Sequence, residues 1–85
     1  MAQRRITVQS EVGLHARPAA LFVEAAAKSG GEVTVAKGEG QGVSAKSILA
    51  VMGLDVRKDD EIVITAEGDD AEQVLDRLAE IADAG

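Results

Sequence analysis

The chain contains a single histidine and a single proline, and they lie three residues apart in Gly13-Leu14-His15-Ala16-Arg17-Pro18. An imidazole is a nucleophile that can take up and release a phosphoryl group, and a guanidinium pairs bidentately with phosphoryl oxygens. Both precede an alanine-rich segment with helical patterning. A helix N-terminus presents N–H groups without intrahelical partners and the positive pole of the macrodipole, so it favours phosphate. That pole also disfavours an imidazolium, which leaves a lone pair free for attack near neutral pH. With His15 as the cap, Pro18 falls at the third helical position, where a missing N–H costs nothing. The chemistry open to these residues is phosphoryl acceptance on His15; taken alone, they fit a surface histidine that merely caps the helix equally well. The candidate phosphate-binding groups are the backbone at Ala16 and the side chain of Arg17, and no cofactor is required.

A second stretch of interest lies about thirty residues on. Ser47 precedes a short run, Ile48 to Leu54, that is apolar on nearly every side. Serine is a good N-cap. A small domain cannot bury Ile48, Leu49, Val51, Met52 and Leu54 together, so part of the run is expected to form an exposed contact patch.

Other chemistries are excluded by composition. The absence of cysteine and the presence of only one histidine rule out disulfides, thiolate metal sites and multi-histidine zinc sites. No spaced carboxylate loop suits calcium, so no metal site is expected. The Gly-rich stretch Lys37-Gly38-Glu39-Gly40-Gln41-Gly42 lacks the Gly-Lys-Ser ending of a phosphate-binding P-loop and reads as a turn. Asp76, Glu80 and Asp83 read as a solvated helix face. A net charge of −6 argues against nucleic acid. No apolar run approaches membrane-spanning length, and Met1-Ala2-Gln3-Arg4-Arg5 has no apolar stretch behind it, so a cytoplasmic protein without membrane insertion is expected.

The elements that must position these residues follow from periodicity. Residues 3–8 alternate as a strand, with Ile6 and Val8 on one side. Residues 16–28 read as a helix whose apolar face is Ala19, Phe22, Val23 and Ala26, ended by Gly30-Gly31. Leu21 lies off that face. Residues 32–37 form a second strand, and a hairpin leads to a third around Val43-Ser44. After the short helix and the charged turn Arg57-Lys58-Asp59-Asp60 comes a fourth strand, Glu61 to Ala66. Asp69 or Asp70 starts a last helix, with Glu72 or Gln73 available for a capping box and Val74, Leu75, Leu78, Ile81 and Ala82 as its apolar stripe. Eighty-five residues in the order β-α-β-β-α-β-α make one α+β domain, with a sheet covered by three helices on one face. Since Phe22 is the only aromatic residue, the core must be aliphatic.

Gly-Leu-His-Ala-Arg-Pro-Ala-Ala at 13–20, Ala45-Lys46-Ser47-Ile48 with Val51-Met52-Gly53-Leu54, and Glu61-Ile62-Val63-Ile64-Thr65-Ala66-Glu67-Gly68 together resemble the HPr family of histidine-containing phosphocarriers, in family order along the whole chain. The resemblance implies an open-faced β-sandwich with a four-stranded antiparallel sheet in the spatial order 1-4-2-3, and phosphorylation at Nδ1 of His15. It implies a monomeric relay that takes a phosphoryl group from phosphoenolpyruvate through enzyme I and passes it to the A domains of sugar-specific permeases. It further implies that Ala16, Ala20, Ile48, Leu49 and Met52 dock these partners, and that Ser47 is the target of a regulatory serine kinase in some bacteria. The chain departs from the family at Val12, where many members carry a small polar residue. Two alternatives remain open: a regulatory protein-binding module that uses the apolar patch without turnover, and the same relay in a nitrogen-related or dihydroxyacetone branch.

Overall fold

The structure is a computed structural model that describes residues 2–9 and 16–83. Its centre is the strand in which alternation is cleanest. In β4 (Glu61–Ala66) Ile62, Ile64 and Ala66 are fully buried, while Glu61, Val63 and Thr65 face the other way. β1 (Ala2–Thr7) and β2 (Val33–Lys37) pair with β4 on either side, both antiparallel, so that Ala2, Ala66 and Val33 form one row across the sheet. The two-residue β3 (Val43–Ser44) adds to β2 as a hairpin, giving the order β1-β4-β2-β3.

Three helices, α1 (Ala16–Ala27), α2 (Ile48–Gly53) and α3 (Ala71–Asp83), cover one face of this sheet. Phe22, Ala19 and Ala26 of α1 and Leu75 and Leu78 of α3 meet Ile6, Val33, Val35, Ile62 and Ile64 in a core that excludes water. Val23 and Val74 lie at its margin. The opposite face carries Gln3, Arg5, Thr34 and Thr65. There Gln3 donates to the Thr65 hydroxyl at 3.3 Å, and Arg5 pairs with Glu61. Arg4 reaches from β1 to Glu72 and Asp76, fastening α3 over the sheet edge.

Element ends depart from the periodicity by a residue or so, for reasons visible in the main chain. β1 stops at Thr7 although Val8 is fully buried, because Val8 bonds the charged turn instead: its N–H donates to Asp60 O (2.9 Å), and its carbonyl accepts from Asp59 N–H (2.8 Å). α1 closes at Ala27 with two tightened bonds, Lys28 N–H to Ala25 O and Ser29 N–H to Ala26 O. Asp70 precedes α3, and its carboxylate accepts from the Ser29 hydroxyl at 3.3 Å.

Gly31 marks the tightest approach among the described glycines. A Cβ placed there would lie 2.0 Å from the carbonyl oxygen of Glu67. Next to it, Glu67 N–H donates to Glu32 O at 2.9 Å, closing β2 onto the segment that leads into α3.

Candidate functional site

His15, together with the loop residues from Ser10 onward and hence Val12, lies outside the described residues. The structure begins again at Ala16, the first residue of α1, and so fixes what stands next to the histidine in sequence. Pro18 is the third residue of the helix, where its lack of an N–H is harmless. Arg17 and Ala20 are exposed, whereas Ala19 and Phe22 turn into the core. Helix pitch thus separates the residues expected to do chemistry from those that anchor them.

α2 packs beside α1. Ser47 is its N-cap in an extended conformation (φ −112, ψ 116), and its Oγ accepts from Ala50 N–H at 3.3 Å. This matches the role that the sequence suggests. Val51 is the one buried residue of the helix and seats it on the core. Ile48, Leu49 and Met52 remain 36%, 82% and 43% exposed, so the three residues expected to dock partners lie at the surface. The helix ends with Leu54 as C-cap and Asp55 in the left-handed region (φ 53), with Asp55 N–H donating to Met52 O at 3.1 Å. Glycine is the usual occupant of that conformation, yet here Gly53 is helical and Asp55 takes the position.

Three residues gain a place that sequence patterning did not assign. Leu21 is 50% exposed and lines a shallow groove between α1 and α3 with Ala25 and Ile81. Lys46 donates to the carbonyl of Ser29 at 3.0 Å, and Lys37 to the carbonyl of Asp55 at 3.0 Å. Nothing in a sequence period reports a lysine reaching a distant main-chain carbonyl.

Charged side chains gather at the turn before β4, where Lys37 pairs with Asp60 and Arg57 with Asp55. There the carboxyl of Asp60 titrates below its ordinary value, chiefly because it accepts from Arg57 N–H (2.9 Å), with Lys37 adding to the effect. Among the described residues no three histidine, cysteine, aspartate or glutamate side chains cluster to hold a metal ion, and no helix is long and apolar enough to cross a membrane.

Comparison with known proteins places this arrangement in context. A family profile described as "PTS HPr component phosphorylation site" matches residues 2–84. The phosphocarrier protein HPr of Streptomyces coelicolor is 47% identical over 85 residues, covering 100% of this chain and 91% of that protein. The crystal structure of an HPr from Bacillus anthracis str. Ames superposes with a TM-score of 0.87 at 42% identity, covering 95% of each chain. An HPr dimer from Thermoanaerobacter tengcongensis superposes at 0.70 with 38% identity, covering 95% of this chain and 92% of that one.

Proposed function

The chain belongs to the HPr family of phosphotransferase-system phosphocarriers, and from that premise we propose that it accepts a phosphoryl group on His15 from phosphorylated enzyme I and passes it to the A domains of sugar-specific permeases. The observation that carries the reading is the position of the one histidine. In sequence it directly precedes α1, whose second residue, Arg17, is exposed and whose neighbour, α2, leaves Ile48, Leu49 and Met52 at the surface.

The transfer needs little from the carrier itself. A neutral imidazole nitrogen donates its lone pair to phosphorus, and a new N–P bond forms. The bond from phosphorus to the donor breaks, and its electron pair leaves with the donor. Such transfers pass through a loose transition state, so catalysis is mostly positioning and charge stabilisation. Arg17 supplies the fork that fits phosphoryl oxygens, and the start of α1 supplies N–H groups and a positive pole. The docked partner provides the rest, which makes the chain a relay rather than an enzyme. Ile48, Leu49 and Met52, with Ala16 and Ala20, form the docking face. Ser47 caps the docking helix and is the position for regulatory phosphorylation where a kinase exists. We read the carrier as a cytoplasmic monomer.

The test is intact mass after incubation with enzyme I and phosphoenolpyruvate. The wild-type chain gains one acid-labile phosphoryl group, and His15→Ala gains none. A His15→Ala protein labelled to the same extent refutes the assignment. A wild-type chain that binds enzyme I yet takes no phosphoryl group shows a regulatory binding module instead.

A further inference from the structure

We propose that Lys46 and Lys37 are positioning residues, two ammonium groups that pin opposite ends of α2 and so set where its apolar face meets a partner. The inference rests on the reading of α2 as the docking surface for phosphoryl transfer.

α2 is weakly self-supporting. It has six residues, far fewer than a helix needs to persist alone, and it buries one side chain, Val51. Leu49 is 82% exposed, and Ile48 and Met52 keep 36% and 43% of their surface open, so the helix gains little from the core beyond Val51. The helix must therefore be located by its ends.

At the start, Ala45 is buried and its N–H donates to Val33 O at 2.9 Å, while Ser47 closes the first turn. Between them Lys46 reaches back to the Ser29 carbonyl at 3.0 Å. That carbonyl lies just past the last turn of α1, where main-chain acceptors lack intrahelical partners and a cation is favoured by the macrodipole. The acceptor is itself held firmly. Ser29 is 5% exposed, its hydroxyl donates to Asp70 at 3.3 Å, and Gly31 N–H donates to that hydroxyl at 3.2 Å. Lys46 thus refers the start of α2 to the end of α1 and, through Ser29, to the start of α3.

At the far end Lys37, the last residue of β2, donates to the Asp55 carbonyl at 3.0 Å and pairs with Asp60 at 3.3 Å. Asp55 is the left-handed residue that stops the helix. Lys37 therefore refers the end of α2 to the sheet. One lysine ties the docking helix to the helix that presents Arg17 and Ala20, and the other ties it to the sheet beneath. Together they fix the spacing between the two exposed faces that a partner must engage at once.

The experiment uses the full chain and the variants Lys46→Met, Lys46→Arg and Lys37→Met. Native-state amide exchange in the free protein is measured alongside phosphoryl uptake from enzyme I and phosphoenolpyruvate with carrier concentration varied. Lys46→Met should speed exchange at Val51 and Leu54 about tenfold, the scale of one charge-assisted hydrogen bond, and leave β4 and α3 unchanged. It should raise KM for the carrier about tenfold with kcat within about twofold, the signature of lost binding rather than lost chemistry. Lys46→Arg should restore both, and Lys37→Met should repeat the exchange effect at Leu54 and Asp55. Unchanged exchange in α2 overturns the proposal, as does faster exchange throughout the domain. A raised KM with α2 exchange intact also overturns it, since Lys46 would then touch the partner directly. A wild-type chain that takes up no phosphoryl group refutes the carrier reading instead, and the exchange measurement still decides whether the lysines pin α2.

Discussion

Gly31→Ala should be among the most damaging single-methyl additions this domain can suffer. The added Cβ would lie 2.0 Å from Glu67 O, 2.6 Å from Glu67 C and 3.3 Å from Gly68 N. All three are main-chain atoms, so no rotamer change relieves the clash. Carbon and oxygen rest at about 3.5 Å, so the two segments must part by about 1.5 Å. That separation breaks the 2.9 Å bond from Glu67 N–H to Glu32 O and strains the Ser29–Asp70 contact beside it. Overpacking of this kind costs about 1–3 kcal/mol, and the lost main-chain bond adds about 1 kcal/mol. A loss of about 2–4 kcal/mol is a large share of the stability of a domain this size and corresponds to a Tm lower by roughly 10–30 °C. Urea unfolding followed by circular dichroism should show a lower midpoint with an unchanged slope. Gly30→Ala is the matched control, with nothing within 4 Å of its Cβ, and should be neutral or slightly stabilising. A Gly31→Ala domain within about 0.5 kcal/mol of wild type would refute the reasoning, because surface substitutions are already that mild.

Ser47→Ala should cost about 1 kcal/mol by chemical denaturation through loss of the cap to Ala50. Ser47→Asp should keep the fold, since aspartate also caps, and yet accept phosphoryl groups more slowly because a charge stands beside Ile48, Leu49 and Met52. Leu49→Ser should leave the melt unchanged, given 82% exposure, and weaken uptake from enzyme I, whereas Val51→Ala on the same helix should cost about 2 kcal/mol in denaturant. The Asp60 carboxyl is held below its ordinary value by Arg57 N–H and Lys37, so its contribution is present above the unfolded value of about 3.9 and is lost as pH falls through the folded one. Asp60→Asn should flatten the acid limb of a stability-versus-pH curve below about pH 4 and leave the slope near neutrality unchanged.

Sequence alone revealed most where burial repeats with a period. The alternation in residues 61–66 and the stripe through Leu75 and Leu78 are direct consequences of one buried face, and both appear in the structure. The exposed set on α2 was legible too, because more apolar residues follow Ser47 than a small core can absorb. Where contacts join distant segments the reading failed. Gly31 read as part of a helix stop, but its role is a close approach to Glu67. Lys37 read as the edge of a turn, and Lys46 as part of a family landmark, although each reaches a carbonyl far away in sequence. Leu21 lay off the apolar face and is half exposed beside α3. The left-handed stop after α2 falls at Asp55 rather than at Gly53, so the residue best suited to that conformation does not occupy it.

The strand order also governs how the molecule comes into being. The ribosome delivers β1, α1, β2, β3 and α2 before β4, yet β4 is the partner of both β1 and β2. Until residues 61–66 have emerged, Ala2 has no Ala66 to pair with, and Val33 and Val35 border nothing on that side. Pairings so distant in sequence form late and together rather than one by one. A nascent chain carries its histidine before it has the frame that would present it. Under the proposed function, competence to carry a phosphoryl group should arrive in a single step with β4, and a product truncated before β4 should be an aggregation-prone fragment rather than a weaker carrier.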